Sequence, residues 1–283
     1  MATSGQTSSE TLPNLILVGA MKCGTSSMHA YLDAHPDIAM SREKEINFFS
    51  FDRYWELGPT WYGRHFSSSA IIRGESSPSY SKFPHRPNVP ERIKTLIPDT
   101  KLIYLVRDPI ERIISHYMHV RATGREDRSI SEALSSLENN PYVDTSRYFM
   151  QIERYLRHFS ESSILIVDSG DLRNARNETL RRVFRFLGVD DTFRSSVHDS
   201  VYHVSGQPSL LTKIVRRHRL ARSLLPYVPR IIFNKLSAYE TRRRSIDPPF
   251  LSDALRSELR AYLLDDIRQF RQTAGQKFAT WSV

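Results

Sequence analysis

The sequence predicts an α/β fold, in which a central parallel sheet is flanked by helices on both faces. Apolar runs without a polar face, at 15–18 (LILV), 101–106 (KLIYLV) and 164–167 (ILIV), are typical of strands that helices cover on both sides. A helical pattern follows each run, and a tight loop with a lysine between two glycines connects the first run to its helix. This alternation predicts strands that run in one direction.

The remaining elements follow from local patterns in chain order. Pro36 ends a helix at 25–34, because the residue before a proline disfavours helical geometry. Pro109 suits the first turn of a helix that runs to about residue 120, and Gly188 closes a helix at 178–187. We also expect a short strand at 71–75, aromatic helical packing within 52–66, and helices at 89–97, 129–137, 145–159 and 251–270.

Length and composition indicate one globular domain. The 283 residues are 40% hydrophobic and 25% charged, which is typical of a folded chain. No repeat or low-complexity linker divides the sequence, so we predict a flexible leader at 1–13 and a single domain at 14–283. The leader lacks the apolar stretch of a secretory signal, no apolar run is long enough to span a membrane, and a lone cysteine excludes an intrachain disulfide framework. These features favour a cytoplasmic protein.

The net charge of +9 is concentrated in one segment, 213–244, which has ten Lys or Arg residues and one acid, Glu240. Such a segment indicates an anionic partner, for example a membrane surface or an acidic polymer. A solvated surface rich in helices explains the same charges, and the sequence leaves both interpretations open. We predict no nucleic-acid partner, because the sequence contains no recognition motif in which aromatic and basic residues alternate.

The loop at 19–27 (GAMKCGTSS) has the pattern of a phosphate-binding turn. Its two glycines permit close backbone approach to a ligand and unusual backbone angles. A strand, a tight loop and a helix N-terminus in succession direct backbone N–H groups and the helix dipole toward one anion. Lys22 adds a positive charge, and Thr25 and Ser26 can cap the helix or donate to the anion. The predicted sheet is therefore P-loop-like, with an ordinary strand-to-helix turn as the alternative.

The loop departs from the patterns of other catalytic loops. A Walker A motif requires a lysine where Thr25 stands, and here the lysine lies at position 22. An ATP-dependent phosphotransferase is therefore disfavoured but not excluded. A cysteine phosphatase loop is absent, because His29 stands where that loop has an arginine. We interpret Cys23 as a small buried loop residue rather than an acidified thiol.

A second anion site is predicted where the strand at 101–106 ends. Arg107 follows this strand and Ser115 lies in the next helix, a spacing that lets a guanidinium and a hydroxyl converge on one anion. An ion pair of Arg107 with Asp108 or Glu111 is the alternative. Ligands of doubly wound sheets bind at the carboxyl ends of the strands, so both anion sites are expected at one edge. Two such sites suit a nucleotide that is phosphorylated at both ends.

Four motifs occur in one order along the chain: GAMKCGTSS at 19–27, EINFF at 45–49, ESSPSY at 75–80 and RDPIERIISHY at 107–117. Together they resemble the sulfotransferases that use 3′-phosphoadenosine 5′-phosphosulfate (PAPS). The likeness is greatest to the branch that contains heparan sulfate O- and N-sulfotransferases and bacterial relatives. The resemblance extends over residues 14–206, and residues 202–209 resemble the late cofactor loop of bacterial members.

The resemblance implies that the chain binds PAPS and needs no metal ion. Lys22 would lie beside the bridging oxygen of the 5′-phosphosulfate and act as a catalytic residue by stabilising the leaving group. Arg107 and Ser115 would bind the 3′-phosphate, while Ser205 and Gly206 would close over the donor. The donor-binding residues that the resemblance implies are Lys22, Cys23, Gly24, Thr25, Ser26, Ser27, Arg107, Ser115, Ser205 and Gly206.

Glu45 is the second catalytic residue that the resemblance implies. Its carboxylate would accept the proton of an acceptor hydroxyl during in-line attack on sulfur. We expect Phe48 and Phe49, which follow it, to shield the carboxylate from water. From the residues alone, a surface ion pair with Lys44 or Arg42 is the favoured interpretation of Glu45.

Two positions depart from the heparan sulfate branch. Its 3-O-sulfotransferases have a histidine where this chain has Asn47 and a lysine where it has Ser76, and both family residues organise the acceptor site. The resemblance therefore implies donor binding but not a heparan-like acceptor. We expect a cytoplasmic, bacterial enzyme that sulfates a hydroxyl of a small metabolite, a glycolipid or a saccharide. The alternatives are an ATP-dependent phosphotransferase and a basic module that binds an anionic polymer.

Overall fold

The computed structural model describes residues 12–66, 70–200, 202 and 249–283. Within these residues, five strands form one parallel sheet in the order β2-β3-β1-β4-β5. The strands are β1 (Leu15–Gly19), β2 (Ile38–Met40), β3 (Ile72–Ser76), β4 (Lys101–Val106) and β5 (Ile164–Asp168). The prediction of a central parallel sheet is confirmed.

Both faces of the sheet are covered, as the burial of consecutive residues in its central strands shows. Every residue of β1 is buried, and so are residues 102–106 of β4. Successive side chains of a strand point to opposite faces, so continuous burial requires cover on both sides. The absence of a polar face in the LILV and KLIYLV runs follows from this position in the fold.

Helices surround the sheet in the order that the sequence pattern predicts. Asp108 caps the first long helix after β4 by accepting from the N–H of Glu111, and Gly188 ends another helix in the left-handed conformation. The described helices are α1 (Thr25–Asp33), α2 (Asp52–Trp55), α3 (Gly58–Gly63), α4 (Val89–Leu96), α5 (Pro109–Ala122), α6 (Ile130–Ala133), α7 (Pro141–Asp144), α8 (Tyr148–Leu156), α9 (Ser169–Asn174), α10 (Arg176–Leu187) and α11 (Asp253–Ala274). A 3₁₀ helix at Pro78–Ser81 follows β3.

Three elements differ from the prediction. The helix expected at 129–137 is only the short α6. The side-chain amide of Asn140 donates to the carbonyls of Ala133 and Ser136, which would otherwise accept backbone hydrogen bonds of a longer helix. The helix expected at 145–159 is α8, with the separate α7 before it. Strand β2 was not predicted, since three residues carry too short a pattern.

The order of the strands determines where a ligand can bind. β1 lies between β3 and β4, and Leu17 pairs with Ser76 on one side and with Ile103 on the other. The chain thus builds the sheet outward from β1 in two directions, and a crevice opens beyond the carboxyl ends of the central strands. No helix of the described residues is long and apolar enough to cross a membrane.

Three of the predictions fall on residues that the structure does not describe, and one of them concerns Ser205 and Gly206 of the late cofactor loop. The other two are the predictions on residues 1–11 of the leader and on the whole basic segment 213–244. The division into a leader and one domain therefore stays a prediction.

Candidate functional site

The loop between β1 and α1 has a backbone that depends on glycine. A Cβ at Gly19 would lie 1.9 Å from the Oγ of Ser81 in the 3₁₀ helix, so a larger residue requires the Ser81 side chain or that helix to shift. Gly24, which precedes α1, has a φ of 91°, and Lys22 has a φ of 75°. The first N–H groups of α1 have no carbonyl partner within the helix, so this end of α1 favours an anion.

This loop lines a cleft of about 630 Å³ beyond the carboxyl ends of the central strands. The cleft brings together every predicted site residue that the structure describes, although the motifs that carry them are far apart in sequence. These residues are Lys22, Cys23, Gly24, Thr25, Ser26, Ser27, Glu45, Arg107 and Ser115. Ser205 and Gly206 lie outside the described residues.

Arg107 is fixed in the cleft through its backbone. Its N–H donates to the hydroxyl of Tyr148 (3.2 Å), and this hydroxyl donates to the Arg107 carbonyl (2.7 Å). The guanidinium Nη2 lies 3.4 Å from Oε2 of Glu111, so the ion pair considered as an alternative does form. The Arg107 side chain nevertheless lines the same cleft as Ser115 of α5. The two groups can therefore act on one anion.

Glu45 lines the cleft on a loop that precedes α2. Its backbone has a φ of 64°, and its carboxylate Oε1 lies 2.9 Å from the ammonium of Lys44. The side chain is 53% exposed. Phe48 and Phe49 are fully buried in the core, so they do not shield the carboxylate. The expectation that they desolvate Glu45 is wrong, and the ion pair with Lys44 is present.

Asn47 and Ser76, the two departures from the heparan sulfate branch, have different surroundings. Asn47 lines the cleft, and its side-chain amide donates to the carbonyl of Glu45 (2.5 Å) while its Oδ1 accepts from Ser79. Ser76 is fully buried at the end of β3, and its Oγ has no hydrogen-bond partner among the described residues. Asn47 thus shapes the backbone beside Glu45, whereas Ser76 does not line the cleft.

Several basic residues of the cleft were not among the predicted site residues. The lining contains seven Lys or Arg side chains and one carboxylate, that of Glu45. A signal for His119 existed, because it lies one helical turn beyond Ser115 on α5 and shares its face. Nothing local in the sequence marks the others, which are Lys44, Lys82, Arg125, Arg173 and Arg176.

The concentration of positive charge changes the pKa values of groups in the cleft. Burial, reinforced by Arg107, lowers the pKa of Lys22. Burial, reinforced by Arg112, lowers the pKa of Lys82 to about 8. Burial and the charge of Lys22 lower the pKa of His119 to about 4, so its imidazole is neutral at pH 7. A bound anion would oppose these shifts, because it favours the protonated form of each group.

Cys23 has the opposite shift. Burial raises the pKa of its thiol to about 11, and the side chain is fully buried with Sγ 3.8 Å from the Tyr148 hydroxyl. The thiol is therefore protonated and unreactive at neutral pH. Its interpretation as a buried loop residue is confirmed.

The end of the cleft beside α9 and α10 combines aromatic and polar groups. The rings of Tyr31 and Tyr202 meet edge to face with centroids 6.1 Å apart, and the guanidinium of Arg176 lies 5.4 Å from the Tyr31 ring. Ser169 and Leu172 line the same end. The Oγ of Ser169 is buried with no hydrogen-bond partner in the described part of the chain. Such a surface suits the base and ribose of a nucleotide.

The residues that the structure describes include no group of three or more His, Cys, Asp or Glu side chains that could hold a metal ion. The lining of the cleft supplies positive charge through Lys and Arg side chains and the helix N-terminus.

The family model of the sulfotransferase domain matches residues 12–213, and the chain belongs to this family. The family that the four motifs predict is therefore confirmed. Heparan sulfate glucosamine 3-O-sulfotransferase 3B1 of Homo sapiens is 35% identical over 193 residues, which are 64% of this chain and 47% of that protein. The membrane-associated sulfotransferase kil1 of Dictyostelium discoideum is 40% identical over 111 residues, 38% of this chain and 22% of that protein.

The match thus spans less than half the length of these curated relatives. The bifunctional heparan sulfate N-deacetylase/N-sulfotransferase 1 of Caenorhabditis elegans is 24% identical over 200 residues, 64% of this chain and 23% of that protein. Among solved structures, a sulfotransferase from Alicyclobacillus acidocaldarius superimposes with a TM-score of 0.70 at 24% identity, covering 96% of this chain and 99% of that one. This likeness confirms the P-loop-like fold.

Proposed function

We propose that the chain transfers a sulfuryl group from PAPS to an acceptor hydroxyl. PAPS is the sulfuryl donor of sulfotransferases. The observation that carries the proposal is the meeting of the loop 22–27 with Arg107 and Ser115 in one cleft that also contains Glu45. Two anion-binding groups and one carboxylate are what a donor with phosphates at both ends and an acceptor hydroxyl require. The reaction depends on positioning and on charge stabilisation, as phosphoryl transfer does.

The donor is oriented by both anion-binding groups. The N–H groups at the start of α1, with the hydroxyls of Thr25 and Ser26, bind the 5′-phosphosulfate, and Lys22 stabilises the charge that develops on the leaving oxygen. Arg107 and Ser115 bind the 3′-phosphate. The adenosine lies against the aromatic end of the cleft, where the unpaired Ser169 hydroxyl finds a partner. The roles of Ser205 and Gly206 stay predictions.

Glu45 is the general base of the proposed reaction. Its carboxylate lines the cleft, with Oε1 2.9 Å from the ammonium of Lys44. An acceptor hydroxyl between Glu45 and the sulfuryl group loses its proton to the carboxylate while its oxygen attacks sulfur. The S–O bond to the donor phosphate breaks as the new S–O bond forms, and 3′-phosphoadenosine 5′-phosphate (PAP) leaves.

The acceptor carries an acidic group close to its reactive hydroxyl. Lys82 follows the 3₁₀ helix whose Ser79 contacts Asn47, and it lines the cleft near both Met21 of the donor loop and Glu45, whose charge acts on it. Among the described residues, its ammonium donates only to the sulfur of Met21, at 3.2 Å, and a thioether is a weak acceptor. A carboxylate, sulfate or phosphate of the acceptor would be a stronger partner. A saccharide, a glycolipid or a small metabolite can carry such a group.

Location and further partners stay at the level of prediction. A cytoplasmic, bacterial enzyme is the proposal that the sequence favours. The basic segment 213–244 lies outside the described residues, so its contact with a membrane surface or an acidic polymer is a hypothesis from charge alone.

The test of the proposal combines a binding and a transfer measurement. Calorimetry with PAP and incubation of [³⁵S]PAPS with a cell extract should give a dissociation constant and a labelled product in the presence of a chelator. Lys22→Met should abolish transfer, whereas Lys94→Met, at an exposed site away from the cleft, should not. Absence of both PAP binding and transfer contradicts the proposal. Transfer from ATP that requires Mg²⁺ supports the alternative phosphotransferase.

A further inference from the structure

Glu75 is a buried carboxyl group that does not line the cleft. It stands on β3 with no exposed surface, and three hydroxyl groups donate to it. Tyr62 and Tyr80 donate to Oε1 at 2.5 and 2.6 Å, and Ser77 donates to Oε2 at 3.0 Å. Burial raises the pKa of Glu75, while these hydrogen bonds oppose the rise. A buried carboxyl with so many donors fixes the orientation of each hydroxyl.

Two of these hydroxyls also connect to the segment 45–49, which we call the carboxylate loop. The N–H of Asn47 donates to the Oγ of Ser77 (3.0 Å), and the N–H of Phe49 donates to the hydroxyl of Tyr80 (3.4 Å). Since the hydroxyl protons are committed to Glu75, the oxygens are free to accept from the loop. The N–H of Glu45 donates to the carbonyl of Ser76 (3.0 Å), the residue after Glu75.

The carboxylate loop needs such support because of its backbone. Glu45 and Asn47 have φ values of 64° and 59°, in the left-handed region that residues with a Cβ seldom adopt. The Glu45 side chain is half-exposed, and Lys44 from its own segment is its ion-pair partner among the described residues. The direction of the Glu45 carboxylate therefore depends on the loop backbone. Hydrogen bonds to β3 and to the 3₁₀ helix hold that backbone in place.

We propose that Glu75 is a positioning residue for the reaction: through Ser77 and Tyr80 it holds the carboxylate loop in the conformation that directs Glu45 into the cleft. This role rests on the proposed function of Glu45. The buried Glu75 carboxyl is connected to the acceptor end of the cleft by two hydroxyl groups. Tyr80 bridges from Oε1 to the loop, and Ser77 bridges from Oε2. The Tyr62 hydroxyl donates to the same carboxyl without a hydrogen bond to the loop among the described residues, while its ring stacks on Phe48. A phenylalanine at this position keeps the ring and removes only the hydroxyl, so it separates positioning from stability.

The test compares three hydroxyl deletions in the full chain. Ser77→Ala and Tyr80→Phe each remove a bridge to the carboxylate loop, and Tyr62→Phe removes a donor to Glu75 that has no bridge. Hydrogen exchange followed by mass spectrometry, without donor or acceptor, should show faster exchange of the amides of 45–49 in the first two variants, by about tenfold. In Tyr62→Phe it should stay within about twofold of wild type once rates are corrected for global stability.

Transfer from [³⁵S]PAPS supplies the second measurement. Ser77→Ala should lower the turnover about tenfold with PAP affinity unchanged, while Tyr62→Phe should keep both. Equal effects of Ser77→Ala and Tyr62→Phe on exchange and turnover overturn the positioning role and leave Glu75 as a stabilising residue. If wild type neither binds PAP nor transfers sulfate, the proposed function fails, yet the exchange experiment still decides whether Glu75 holds the loop.

Discussion

The two ends of the cleft are built in different ways. The donor end depends on one short segment, 22–27, in which backbone N–H groups and a helix N-terminus provide the anion site. The acceptor end depends on side chains from separate segments, such as Glu45, Lys82 and Arg125. A site made of backbone is encoded by a local pattern, whereas a site made of distant side chains exists only after folding. Substitutions at the donor end should therefore lower the affinity for PAP, whereas substitutions at the acceptor end should change turnover or the acceptor KM.

The largest effect is expected from Gly19→Ala in the donor loop. The new Cβ would lie 1.9 Å from the Oγ of Ser81 and 3.0 Å from its Cβ, and the φ of 152° disfavours alanine. We expect a loss of about 3 kcal/mol in the free energy of unfolding and no PAP binding. Gly124→Ala, at a φ of 68° with nothing within 4 Å of the new Cβ, should cost only about 1 kcal/mol. Urea unfolding measures both.

The contrast between Gly19 and Gly124 tests whether the lost free energy of unfolding comes from close packing or from the backbone angle alone. Adding Ser81→Gly to Gly19→Ala removes the contacted atoms and should recover much of the lost stability. Equal losses in Gly19→Ala and Gly124→Ala would show that contact with the 3₁₀ helix is unimportant for the donor loop.

Glu45→Gln should affect the acceptor end alone. Loss of a general base lowers turnover by about 10²- to 10⁴-fold, and the amide preserves size and leaves the donor end intact. PAP affinity should remain within about twofold of wild type. Glu43→Gln is the matched control, because Glu43 is 78% exposed and does not line the cleft. Turnover of Glu45→Gln near that of Glu43→Gln contradicts the role of Glu45 as the base.

Arg107→Met should weaken the donor end in a way that depends on the ligand. The variant loses a charge-assisted contact to the 3′-phosphate of PAP, which corresponds to about 2 kcal/mol, or about 30-fold in affinity. Adenosine 5′-monophosphate lacks that phosphate, so its affinity should change little. Calorimetry with both nucleotides on wild type and Arg107→Met gives the coupling energy between Arg107 and the 3′-phosphate. An equal loss for both ligands would mean that Arg107 does not contact the 3′-phosphate.

The same contrast explains how far the sequence predicts this protein. The strands at 15–18 and 101–106 were predictable because burial on both faces leaves a continuous apolar run. Lys22 was predictable because it lies in the loop after the first strand, and Arg107 because it directly follows the strand at 101–106, each in a recognisable motif. Lys82 was not, since its place in the cleft depends on the 3₁₀ helix that packs beside the donor loop.

Short elements and side-chain directions were the least predictable features. The end of α6 depends on Asn140, a residue outside the helix whose amide binds the carbonyls of Ala133 and Ser136. Phe48 and Phe49 were expected to cover Glu45 because they are its neighbours in sequence. They pack into the core instead, because the left-handed backbone at residues 45 and 47 turns the chain between Glu45 and the two phenylalanines. Such turns depend on contacts to β3 that no local pattern contains.

The smallest effect, and the one that tests the acceptor class, is expected from Lys82→Met. The variant should raise the acceptor KM about tenfold without a change in PAP affinity, because one contact to an acidic group is lost. Burial holds the pKa of Lys82 at about 8, so the ammonium loses its proton as pH rises through that value. In wild type, kcat/KM for the acceptor should therefore fall above about pH 8, and this fall should be absent in Lys82→Met.

The labelled products of wild type provide an independent measure of the same contact. If Lys82 binds an acidic group, anion-exchange chromatography at pH 7 should resolve sulfated products with at least one negative charge besides the new sulfate. Lys94→Met is the matched control, because Lys94 is exposed and does not line the cleft. Products that carry the sulfate as their single charge, with an unchanged pH profile in Lys82→Met, would exclude an acidic acceptor. They would leave Lys82 as a contact to the donor side of the cleft.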